Sequence, residues 1–167
     1  MQPAAAPAPK KSKVLLVVIV LGVGLVLAVP CIGIISAIAI PAFVGYVKRS
    51  KITEATSEVR AIARSEMTYC SEHGGWLVPA GPTPAVPGPA KQLGDFSSDP
   101  VFTQLGYDRP DPVYYSYSIE RDPAVTGGIR VVARGDLDGD GIQSTFTVAC
   151  GSDCECDPAP VVTDELE

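Results

Sequence analysis

Asp136, Asp138 and Asp140 place carboxylates on alternate residues of the segment GDLDGDG, with Gly141 following. This is the D-x-D-x-D-G opening of a calcium loop, in which hard oxygen ligands on a tight turn converge on one Ca²⁺. The twelfth position counted from Asp136, where an EF-hand needs a bidentate glutamate, is Thr147, and flanking helical patterns are missing. Two readings follow: a partial calcium site completed by backbone carbonyls and another loop, or a hairpin turn whose aspartates bond local amides. Cysteine is the other reactive residue type. Cys70, Cys150, Cys154 and Cys156 are even in number and lie outside the apolar part of the chain, as disulfides in an oxidising compartment would. A Cys154–Cys156 bridge is disfavoured, because one intervening residue does not meet disulfide geometry. Cys70 is therefore expected to tie to the C-terminal segment, with the pairing open. The spacing C-x₃-C-x-C suits tetrahedral zinc poorly, and His73 is the one histidine. His73 has no evident nucleophile partner and reads as a capping or surface residue. The chain has no G-x-S-x-G, phosphate loop or HExxH, so no enzyme is expected.

Charge is distributed unevenly. Up to Arg64 eight Lys and Arg face only Glu54 and Glu58, whereas from Asp95 onward fifteen acids face four bases. An acidic outer domain does not bind nucleic acid by counterion release, which excludes that class. Val14 to Val47 is an uncharged, mostly apolar run of 34 residues, against the roughly 20 that cross a bilayer. It is longer than the ~7–15-residue core of a cleaved signal and reads as a retained single-pass anchor. Lys10, Lys11 and Lys13 precede it and favour a cytoplasmic N-terminus. Cys31, inside the run, reads as an inert buried thiol, with a lipidation site as the alternative.

The elements that must position these residues follow from periodicity. After Val47 the pattern turns amphipathic: Ile52, Ala55, Val59, Ile62 and Cys70 recur at helical spacing, flanked by Ala63 and Met67. Charges occupy the other faces. Nothing stops a helix before Gly74-Gly75, so one helix is expected from about Val14 to Glu72, with Pro30 and Pro41 inside it. Trp76 to Phe102 is rich in proline and glycine and reads as a long irregular connection with a short turn at Ala90–Leu93. Three strands follow at Val113–Arg121, Gly128–Gly135 and Ile142–Cys150. In the first of these, Val113, Tyr115, Tyr117 and Ile119 share one face. Tyr107, Tyr114, Tyr115 and Tyr117 read as cross-strand packing rather than an adhesive patch. The fold class is α+β: a long N-terminal helix, half transmembrane and half amphipathic, packed on a small antiparallel sheet.

The stretch GIISAIAIPAFVGYVKRSKITEA, Gly33 to Ala55, closely resembles the N-terminal helix of type IV pilins and type II secretion pseudopilins. Gly33, Ile34, Ala37, Ile38, Ala39, Ile40, Pro41, Ala42, Tyr46, Arg49, Ser50, Glu54 and Ala55 stand at the matching positions. The resemblance implies that the helices of several copies pack in a filament core, with Gly33, Ala37 and Pro41 as assembly positions. Small residues such as Ser36 and Ala39 would let them approach closely. It further implies a bacterial inner-membrane protein whose outer domain is periplasmic or carried in an extracellular filament, and calcium at the acidic turn as in some pseudopilins. The processing signature is not shared: the positions of the leader glycine and of the glutamate after the cut hold Ile19 and Gly24.

The expected organisation is a disordered basic tail over 1–13, the apolar half-helix over 14–47 and its amphipathic continuation over 48–73. The loop and sheet domain follows over 74–157, and an acidic tail over 158–167. Two functions are expected from this. One is a structural pilin-like subunit assembling with itself, or with pilus or secretion machinery. The other is an uncleaved, membrane-tethered binding or accessory domain that does not polymerise.

Overall fold

The computed structural model describes residues 13–164. The basic N-terminal tail, except Lys13, and the last three residues of the acidic tail lie outside them. Helix α1 runs from Lys13 to His73, and contacts divide the chain into two units, Met1–Gly45 and Tyr46–Glu167.

Within the first unit α1 carries Leu, Val, Ile and small residues on every face, and its large apolar side chains from Leu15 to Val44 are exposed. This part of the helix is long and apolar enough to cross a membrane by length and composition. Pro30 and Pro41 sit inside the helix as expected. Each lacks the N–H that would bond the carbonyl four residues earlier, at Val26 and Ala37 respectively.

The second unit has its core between α1 and a five-stranded antiparallel sheet of order β1-β2-β3-β4-β5. The strands are β1 Ala80–Thr83, β2 Ser116–Arg121, β3 Ile129–Gly135, β4 Ser144–Cys150 and β5 Val161–Thr163. Register aligns Tyr117, Ala133 and Phe146 in one cross-strand row and Ile119, Val131 and Val148 in the next. All six are fully buried, as alternation on one covered face requires. The α1 stripe closes this core with Ile52, Ala55, Val59, Ile62, Ala63 and Cys70. Gly74, at φ +78°, ends the helix by donating to the Cys70 carbonyl at 2.7 Å, the left-handed cap that the Gly-Gly pair anticipates.

Two segments depart from the sequence reading. Trp76–Phe102 is not wholly irregular: it contains edge strand β1, the 3₁₀ turn Phe96–Ser98 and the start of helix α2, Pro100–Gln104. Asp95 and Asp99 cap these turns, and Asp99 also accepts the Gly81 amide at 2.9 Å, tying α2 to β1. Phe96, Phe102 and Tyr107 pack edge to face or tilted at 5.2–5.6 Å between ring centres, which gives the loop a buried anchor. The supposed acidic tail also begins as structure. Its β-branched Val161, Val162 and Thr163 pair with Thr147, Phe146 and Thr145 of β4.

Candidate functional site

The acidic turn connects β3 to β4 and is held from below by Leu137, which is buried. Asp136 accepts the Gly139 amide at 2.7 Å through Oδ1 and the Gly141 amide at 3.2 Å through Oδ2. Asp140 accepts the Ile142 amide at 2.7 Å. Gly139 and Gly141 have φ of +81° and +90°, which only glycine adopts without strain. Asp138 is taken by a distant partner: Lys48 Nζ, on α1 just beyond the apolar run, lies 3.0 Å from its Oδ2. That ammonium is the main cause that holds the Asp138 carboxyl below its ordinary range.

The three carboxylates of Asp136, Asp138 and Asp140 converge, with ligand oxygens within 4.8 Å of one another. Calcium takes six to eight oxygens, of which this group supplies part. Meanwhile three backbone amides and one lysine already satisfy the aspartates. The geometry matches the amide-bonding turn in full and a calcium loop in part.

The cysteines resolve into Cys70–Cys154 and Cys150–Cys156. The first ties the end of α1 to the C-terminal segment, as expected. The second closes a tight loop at the end of β4, where Gly151 and Glu155, and Asp157 and Ala149, are joined by backbone hydrogen bonds of 2.8 Å. Trp76 reaches the same loop, donating from Nε1 to the Gly151 carbonyl at 3.0 Å. Cys31 is a free thiol on α1 and is exposed rather than buried as expected, because the apolar part of the helix has no other element packed over it among the described residues. His73 stacks on Tyr69 at 4.1 Å, with Nδ1 3.1 Å from the Tyr69 carbonyl.

Gly33, Ala37 and Pro41 follow one another at four-residue steps on α1, so they share a helix face. All three are exposed, and a Cβ added at Gly33 would meet nothing within 4 Å.

The sequence reading missed three residues that attach the sheet domain to the helix. Glu54 and Glu58 were expected on solvent faces. Instead Glu54 accepts the Tyr114 amide at 2.7 Å and pairs with Lys91 at 3.4 Å. Glu58 accepts the Tyr107 hydroxyl at 2.6 Å and pairs with Arg109. Both meet the chain between β1 and β2, where Gln92 and Val113 pair in an isolated bridge and the Tyr114 amide beside it turns to Glu54. Glu66 is fully buried on the apolar stripe itself. Its spacing from Val59, Ile62 and Cys70 was the available signal.

No family model matches this chain, and neither the curated proteins nor the solved structures include a match to it.

Proposed function

We propose that the chain is a membrane-anchored, pilin-like structural subunit. It assembles through the apolar half of α1 with copies of itself or with components of a type IV pilus or a type II secretion-type filament. One observation carries the reading: the pilin-like run Gly33–Ala55 lies on a single helix whose inner part exposes apolar side chains all round and whose outer part is buried against an antiparallel sheet. A helix apolar on every face must be covered by lipid or by other helices. The face of Gly33, Ala37 and Pro41 would allow close helix approach, and the lost amide at Pro41 supplies a compliant point.

A second reading is favoured by Ile19 and Gly24, which stand where the family's cleavage glycine and the glutamate after it belong. It is an uncleaved tether that keeps the sheet domain at the membrane without polymerising. Shearing cells that express the chain separates the two. The subunit reading expects it in the sheared filament fraction together with other copies or pilin-like partners. Recovery only in membranes, with Met1 intact by mass, overturns it and leaves the tether.

A further inference from the structure

On the second unit a groove of about 250 Å³ opens between α1 and the end of β4. Helix α1 contributes Arg60, Arg64 and Met67 to its lining, and β4 and the segment after it contribute Val148, Asp157 and Pro158. The arginines are exposed, and their guanidinium groups have no ion-pair or hydrogen-bond partner among the described residues. The other basic residues of the sheet domain are engaged: Lys91, Arg109, Arg130 and Arg134 each pair with a glutamate, except Arg121 at the end of β2.

We propose that this groove receives the acidic segment Asp164–Glu167 of a second copy of the chain. The segment reads Asp-Glu-Leu-Glu. In an extended chain Glu165 and Glu167 project on one side about 7 Å apart. Arg60 and Arg64, one helical turn apart, present their side chains at a spacing of about 5–6 Å. Glutamates paired with the two arginines would leave the leucine between them for the apolar lining of Met67, Val148 and Pro158.

The chain's own segment is poorly placed to do this. β5 runs antiparallel to β4, with Val161 opposite Thr147 and Thr163 opposite Thr145. The backbone leaving Thr163 therefore heads away from Val148. Asp164, at φ +51°, bends the chain there, and the three residues after it reach at most about 11 Å, short of the roughly 13 Å that four strand positions back to the level of Val148 would take.

The inference rests on the self-assembly reading and adds a contact between outer domains to the one through α1. Two differently tagged full-length chains, one carrying Arg60→Glu and Arg64→Glu and the other Glu165→Lys and Glu167→Lys, test it by co-purification from detergent. Each variant alone should self-associate about tenfold less than the unaltered chain, while the two mixed variants should recover association, because opposite charges then meet across copies. If the unaltered chain self-associates and the charge reversals change nothing, or the mixture fails to recover, the groove proposal is overturned while assembly through α1 stands. If the unaltered copies do not associate at all, both fall.

Discussion

Oε2 of Glu66 accepts a hydrogen bond from the Leu77 amide at 3.1 Å, joining the apolar stripe of α1 to the chain that leaves it. The other oxygen, Oε1, is buried without a partner among the described residues. Burial pushes the Glu66 carboxyl up from 4.5 to about 7, and the Leu77 amide offsets this in part.

The sign of the resulting pH dependence follows from proton binding. Between pH 4.5 and about 7 the folded chain holds a proton on Glu66 that the unfolded chain has lost. Stability therefore falls as pH rises through that window, by an amount on the order of 3 kcal/mol at ~1.4 kcal/mol per pKa unit. Glu66→Gln removes this titration and keeps an acceptor for Leu77. Thermal melts at pH 5 and pH 8 should show a smaller pH difference in the variant. An unchanged difference would assign the slope to other groups.

The two disulfides should contribute unequally. Cys70–Cys154 spans 84 residues and Cys150–Cys156 spans 6. In the chain-entropy account their removal costs about 4–5 and about 2 kcal/mol respectively. Paired serine variants, compared by urea midpoint at equal m-value, should rank in that order. A reversed ranking would mean that the small loop matters through its folded-state contacts with Trp76 instead.

Tyr107→Phe deletes the 2.6 Å bond to Glu58 and leaves Arg109 as that carboxylate's charged partner. Hydrogen bonds to charged groups contribute about 1.5–3 kcal/mol, so a loss of that size is expected. The aromatic packing on Phe96 and Phe102 is retained. A double-mutant cycle with Glu58→Gln should show coupling above ~0.5 kcal/mol; simple additivity would mean that the bond does not form.

Asp136→Ala removes the acceptor for the Gly139 and Gly141 amides. The expected cost is about 1–2 kcal/mol, and it should be the same with EDTA as with millimolar calcium, since the lost bonds are internal. A cost that appears only when calcium is present would instead make the turn a cation site.

The sequence alone determined the elements whose residues are buried at a regular period. The bounds of α1 followed from an uninterrupted helical pattern ended by Gly74-Gly75. Strands β2, β3 and β4 followed from two-residue alternation between turn residues, and their short connections dictated antiparallel neighbours. The acidic turn was legible for the same reason, since Asp136, Asp140 and the glycines satisfy one another locally.

Tertiary structure decided whatever depends on residues far apart along the chain. β1 reads as loop because its proline and glycine obscure any alternation, and it exists because β2 offers an edge. β5 likewise needs β4. The cysteine pairing needed the end of α1 brought beside the C-terminal loop, and Asp138 found Lys48 ninety residues away. Glu54, Glu58 and Glu66 look like ordinary helix-surface acids in one dimension. They became buried or half-buried attachment points because the chain packed over them has backbone amides and a tyrosine hydroxyl that no strand satisfies. Periodicity reports how often a side chain is covered; which distant polar group covers it is fixed only when the chain has folded.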